Sequence, residues 1–238
     1  MNGRDLTRAE LAAKIDHTFL KPAGAADAVE KLCAEARRCG FASVCVNPCE
    51  VAAAAAALAG SAVKVCTVVG FPLGQNTAAV KAFEAEAAIA DGARELDFVI
   101  NQRLLKAAGA GDGAARRTLA AELKACAAVK RGETAARLGF PEIVLKLILE
   151  CCNLTDAEKR LGCELAVESG FDFVKTSTGF AAGGATVEDV RLLRQAVGGR
   201  ASVKAAGGIR TLEDALAMLA AGADRLGCSA GVAIIERV

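Results

Sequence analysis

Short runs of β-branched and apolar residues alternate along the whole chain with longer segments rich in alanine, leucine, glutamate, lysine and arginine. The short runs read as strands and the long segments as helices, an order that implies a parallel sheet. Strands are predicted at Ile15–Thr18, Ser43–Val46, Val63–Val69, Glu95–Ile100, Ile143–Leu149, Phe171–Lys175, Ser202–Ala205 and Asp224–Gly227. Helix starts are marked as clearly. Thr7-Arg8-Ala9-Glu10 is a capping box ahead of the first strand. Asn76 or Thr77, Thr155, Thr186 and Thr211 are N-cap residues, and Asp189 and Asp214 follow two of them in the first turn, where the helix dipole favours an anion. Gly40, Gly92, Gly139, Gly170 and Gly222 each stand just before a strand, where glycine closes a helix at positive φ. Eight strands in 238 residues, with no linker, predict a single domain over 1–238: an α/β (β/α)8 TIM barrel. It carries an extra N-terminal helix and a short last helix.

Composition sharpens this picture by exclusion. Apolar residues make up 53% of the chain, too many for a disordered one. Lys plus Arg is 29 against Asp plus Glu 28, so there is no basic surplus for a nucleic-acid backbone. With no Trp or Tyr, base-stacking platforms are scarce. The ten cysteines form no CxxC pair, and His17 is the lone histidine, so no zinc pattern can be assembled. Free thiols in a reducing cytoplasm are the plain reading. Met1–Asp5 leads into no apolar run, so no secretory signal is expected. No uncharged run reaches membrane-spanning length.

Active sites of such barrels lie at the C-terminal ends of the strands. Lys146, Lys175 and Lys204 fall on strands five, six and seven, in apolar contexts, with Asp97 on strand four beside them. Lysine is seldom buried without a partner, so one such residue would be read as snorkelling or paired. Three on consecutive strands point instead to an amine nucleophile made reactive by neighbouring ammonium charge. Bringing a lysine from pKa ≈ 10.4 to about 7 takes roughly 4–5 kcal/mol, and one cation about 4 Å away at an effective dielectric of 20 supplies ~4 kcal/mol. A second constellation is rich in glycine: Thr178-Gly179 after strand six, Gly207-Gly208 after strand seven, and Gly227 with Ser229 at strand eight. Backbone N–H groups there can approach an anion, and loops after strands seven and eight are a usual phosphate site. No nucleotide-binding glycine motif occurs in a strand-to-helix setting. His17 is expected to be a hydrogen-bonded structural residue rather than a base, Asp16 is as readily a capped surface acid as part of a polar network, and Cys45 is packing. Together the residues describe an enzyme without metal or cofactor that forms a Schiff base with a carbonyl and grips a phosphate. The pattern leaves open which lysine attacks.

These segments resemble the deoxyribose-phosphate aldolase family of class I aldolases. The resemblance runs through Asp16-His17-Thr18, Val44-Cys45-Val46-Asn47-Pro48, Val69-Gly70-Phe71-Pro72-Leu73-Gly74, Glu95-Leu96-Asp97, Leu145-Lys146 through Glu150, Phe173-Val174-Lys175-Thr176-Ser177-Thr178-Gly179-Phe180 and Lys204-Ala205-Ala206-Gly207-Gly208-Ile209-Arg210. It implies reversible cleavage of 2-deoxy-D-ribose 5-phosphate to D-glyceraldehyde 3-phosphate and acetaldehyde. It makes Lys175 the Schiff-base lysine, Lys204 the neighbour that depresses its pKa, Asp97 the carboxylate that moves protons through water, and Lys146 a member of that network. Gly179, Gly207, Gly208 and Ser229 match phosphate contacts. The expected partners are a small phosphorylated sugar and acetaldehyde, with no nucleic acid and no membrane, and a homo-oligomer, a dimer first. Two departures stand out. Some members carry a lysine where this chain has Phe180, and some place a C-terminal tyrosine in the proton relay, whereas this chain has no tyrosine. A phosphosugar isomerase on the same barrel would need a positioned base or metal ligands. A phosphometabolite-binding protein would have no use for Lys175 beside Lys204.

Overall fold

The structure, a computed structural model, describes residues 6–140 and 143–238. The first five residues, read above for a signal segment, lie outside that range. Eight parallel strands close into a barrel in chain order: β1 Ile15–Phe19, β2 Ser43–Val46, β3 Lys64–Val69, β4 Glu95–Val99, β5 Val144–Ile148, β6 Phe173–Lys175, β7 Ser202–Ala206 and β8 Arg225–Cys228. Closure, which periodicity alone cannot decide, is made by β1 on β8, with Ile15 opposite Leu226 and His17 opposite Cys228. Each predicted strand is present, with no end shifted by more than two residues.

The helices form an outer ring, and their caps explain their starts. Thr7 closes a reciprocal capping box with Glu10 to open α1 Arg8–Ala12, the extra N-terminal helix. Thr77 opens α4 Ala78–Ala90, and Thr155 opens α8 Asp156–Ser169 through a second capping box. Thr186 and Thr211 open α9 Val187–Val197 and α10 Leu212–Ala221. Gly40, Gly170 and Gly222 are left-handed residues closing α2 Ala28–Cys39, α8 and α10. α3 spans Val51–Ala57, and the last helix, α11, is the short Gly231–Ile235. The β4–β5 crossover is longer than a single helix. It holds α5 Gln102–Gly109, α6 Gly113–Ala128 and α7 Glu133–Arg137, opened by Asn101, Asp112 and Gly132.

One large apolar core fills the space between strands and helices. The barrel interior is different. A small apolar wall of Leu20, Cys45, Cys66, Val68 and Phe71 stands beside a cluster of buried charges. Among the described residues, no helix is long and apolar enough to cross a membrane.

Candidate active site

Period-two alternation sends residues i and i+2 of a strand to the same face. Glu95 and Asp97 of β4 therefore share the barrel interior, and neighbouring strands bring Asp16, Lys146, Lys175, Lys204 and Arg225 to them. Asp97 is the hub. Its Oδ2 accepts from Lys175 Nζ at 2.7 Å and from Lys204 Nζ at 2.8 Å, and its Oδ1 accepts from Lys146 Nζ at 2.8 Å. A second tier lies below. Lys204 Nζ also reaches Asp16 Oδ2 at 2.5 Å, and Lys146 Nζ reaches Glu95 Oε2 at 2.7 Å. Asp16 Oδ1 accepts from Ser43 Oγ at 2.7 Å and from Arg225 Nη1 at 2.5 Å, and Arg225 also pairs with Glu95. The structure thus brings together all three lysines singled out in the sequence, with Asp97 between them.

The electrostatics follow from burial opposed by charge. Burial alone would raise Asp97, but the ammoniums of Lys146, Lys175 and Lys204 outweigh it and hold the carboxyl well below the usual carboxylate range. Asp16 is lowered in the same way by Lys204, Lys146 and Arg225. Burial would lower Lys204, but Asp16 and Asp97 raise it above the ordinary lysine value, and Lys146 is raised likewise, chiefly by Asp97. Counting ionised groups, four cations (Lys146, Lys175, Lys204, Arg225) face three carboxylates (Asp16, Glu95, Asp97), a surplus of one positive charge.

Depressed carboxylates stabilise the fold fully above their unfolded value, about pH 4, and lose that contribution as pH falls toward the folded value. The raised lysines contribute fully below about pH 10 and lose it above. Asp97→Asn leaves buried ammoniums underpaired, a loss of about 3–5 kcal/mol. The difference in Tm from the parent is expected to be flat from about pH 5 to 9 and to shrink below about pH 4. Melting curves across pH check this; a difference that widens toward acid would contradict it.

The upper end of the cluster opens into a cavity of about 440 Å³ at the C-terminal face. Of the charged cluster, only Lys175 is in its wall. The other wall residues include all six of the predicted phosphate set: Thr178, Gly179, Gly207, Gly208, Gly227 and Ser229. The N–H groups of Gly179, Gly208 and Ser229 have no acceptor among the described residues. Gly207 and Gly208 sit at φ +88° and +83°, and a Cβ at Gly184 would overlap the Gly207 carbonyl oxygen, so glycine lets the two loops meet.

One of the six plays a different part from that expected. Thr178 has both donors committed to Glu150, through its N–H at 3.0 Å and its hydroxyl at 2.5 Å, so neither is free for an outside anion. Gly227 keeps its place in the cavity wall and also makes room for the lysine, since a Cβ on it would stand 3.0 Å from Lys204 Cε. His17 points away from the cluster, as alternation with inward-facing Asp16 requires; its Nε2 bonds Glu35 at 2.8 Å and its ring packs on Phe41. Cys126, Cys163 and Cys228 are pushed up to about 12 by burial, the signature of packing thiols. Cys45–Cys66–Asp97 and Asp16–Cys66–Glu95 each bring ligand-type atoms within 4.8 Å of one another. Lysine ammoniums already bond Asp97, Asp16, Glu95 and Cys66 there, and they oppose a further cation.

A (β/α)8 barrel with a cavity-facing lysine inside a lysine–carboxylate cluster has the makeup of a Schiff-base aldolase. The sequence profile of the DeoC/LacD family aldolases matches residues 11–237, and the chain belongs to that family. It is 52% identical over 227 residues to a deoxyribose-phosphate aldolase of Thermoanaerobacter sp. (strain X514), covering 95% of this chain and 96% of the relative. It is 53% identical over 222 residues to one from Streptococcus equi subsp. zooepidemicus, covering 93% and 94%. The solved tetrameric deoxyribose phosphate aldolase of Aeropyrum pernix superposes with a TM-score of 0.83 at 32% identity, over 97% of this chain and 91% of that one.

Proposed function

We propose that the whole chain, 1–238, is one aldolase domain that reversibly cleaves 2-deoxy-D-ribose 5-phosphate to D-glyceraldehyde 3-phosphate and acetaldehyde. The observation that carries this reading is Lys175, the cluster's one cavity-lining group, set in a network with one cation to spare. It bonds a single carboxylate, whereas Lys146 and Lys204 each bond two or more.

The neutral amine adds to the C1 aldehyde of the open-chain sugar, and loss of water leaves an iminium. Removing the C3 hydroxyl proton breaks the C2–C3 bond. Its electron pair passes into the iminium, giving an enamine and free D-glyceraldehyde 3-phosphate. Protonation at C2 and hydrolysis release acetaldehyde and restore the amine. Asp97 moves these protons through water, with Lys204 as proton donor and Lys146 holding Asp97 in place. The iminium is the electron sink, so the scheme asks for neither metal nor cofactor.

The phosphate is assigned to the N–H groups of Gly179, Gly207 and Gly208 with the Ser229 hydroxyl. Phe180 leaves no cation at its position, but Lys21 and Arg210 line the same cavity. A cytoplasmic place is supported by ten free cysteines. A homo-oligomer, a dimer first, is supported by exposed Leu73, Val80 and Phe83 and by the tetramer of the Aeropyrum pernix relative.

The test is direct: acetaldehyde release from 2-deoxyribose 5-phosphate, followed by a coupled assay. Unphosphorylated 2-deoxyribose is expected to lose both in KM and in kcat, because remote phosphate contacts orient the reacting bond. Ser229→Ala is expected to raise KM for the phosphorylated sugar by roughly 10- to 100-fold, one hydrogen bond to a charged group at ~1.5–3 kcal/mol. Equal kcat/KM for the two sugars would sink the phosphate assignment.

A further inference from the structure

Glu150 is the one non-glycine residue with a left-handed backbone among those described, at φ +62° and ψ +64°. It stands just past the end of β5 and opens a short 3-10 turn, Cys151–Asn153. A residue with a Cβ is crowded in that conformation and keeps it only when its surroundings over-determine it. Here they do. The residue is 2% exposed. Its Oε1 accepts the Thr178 N–H at 3.0 Å, and its Oε2 accepts the Thr178 hydroxyl at 2.5 Å. That hydroxyl oxygen in turn accepts the Phe180 N–H at 3.0 Å. Two ladder bonds hold Glu150 beside the end of β6: Leu149 N–H to the Lys175 carbonyl at 2.9 Å and Cys151 N–H to the Thr176 carbonyl at 2.8 Å.

The relay has a selective effect on the loop after Lys175. The N–H groups on either side of Gly179 are both taken, one by Glu150 and one by Thr178. The Gly179 N–H, on a residue at φ +85° in the cavity wall, is left over. We propose that Glu150 is a positioning residue: its strained backbone and buried carboxyl group set the Thr178–Phe180 turn so that the Gly179 N–H faces the phosphate of the substrate. This rests on the sugar-phosphate reading above. It also accounts for Thr178, which acts as the link in the relay and not as a ligand.

The test uses the full chain, with kcat and KM measured on 2-deoxyribose 5-phosphate and on unphosphorylated 2-deoxyribose. Glu150→Gln keeps the size and one acceptor but leaves the Thr178 hydroxyl proton without its carboxylate. The expected loss in kcat/KM on the phosphorylated sugar is about 10- to 100-fold, carried by KM, and at least about tenfold larger than the loss on the unphosphorylated one. Thr178→Val, which removes the link while keeping the branched shape, is expected to give the same split in a smaller degree, and it decides the matter if Glu150→Gln does not fold. Equal proportional losses on the two sugars, or no loss on either, overturn the inference alone. A parent enzyme that does not cleave the phosphorylated sugar overturns the functional reading and this inference with it.

Discussion

Lys175→Ala is expected to lower kcat for cleavage by roughly 10⁴–10⁶-fold, the scale of loss when a covalent nucleophile is deleted. The reason is local. No other ammonium of the cluster lines the cavity: Lys146 and Lys204 are fully buried and tied to carboxylates on more than one side. Neither can reach a substrate carbonyl without breaking those pairs. The fold should survive, because Asp97 keeps Lys204 and Lys146 when Lys175 is gone. Steady-state kinetics together with circular dichroism check both halves. A variant that folds and retains more than about a hundredth of the parent rate would contradict the assignment.

Lys204→Leu is expected to act through charge rather than contact with substrate. In the parent, Lys175 and Lys204 donate to the same oxygen of Asp97, so the two ammonium charges lie side by side. Deleting Lys204 removes the surplus positive charge and leaves Asp16 and Asp97 with fewer cations to satisfy. A unit charge about 4 Å away at an effective dielectric of 20 is worth ~4 kcal/mol, so the acidic limb of the pH–rate profile should move upward by on the order of 2–3 units. The shared carboxylate tempers the repulsion, which favours the lower end of that range. Activity should return in part as pH is raised. A profile that only drops in height, with its acidic limb unmoved, would show that Lys204 does not act on the nucleophile through charge.

The fold was legible because its signals are local. Thr7, Thr155, Thr186 and Thr211 cap the helices predicted for them, and left-handed Gly40, Gly170 and Gly222 close theirs. The β4–β5 crossover was less so. Its helices are opened by Asn101, Asp112 and Gly132, which a search weighted toward threonine caps passes over. Within the site, Lys146, Lys175, Lys204 and Asp97 stand out as charges in apolar strands. Arg225 did not, and Glu95 entered only as part of the Glu95-Leu96-Asp97 segment, since each stands at the start of its strand. Alternation was the available signal: Glu95 shares its face with Asp97, and Arg225 shares its face with Gly227. The same rule assigns His17 to the outside once Asp16 is inside. What sequence spacing could not supply was the long-range pairing. Glu150 meets Thr178 across 28 positions, and Lys204 meets Asp97 across 107. Glycine, too, has several uses that composition does not separate: Gly208 leaves a donor free, whereas Gly227 vacates space for a lysine.

Lys175 is proposed as the residue that becomes covalently bound. Incubating the parent enzyme with acetaldehyde and borohydride, then weighing the intact chain and mapping its peptides, tests it in one preparation. A single reduced adduct, one ethyl group, is expected on the peptide carrying Lys175, and none in Lys175→Ala. An adduct on Lys204 or Lys146 with Lys175 unmodified would contradict it.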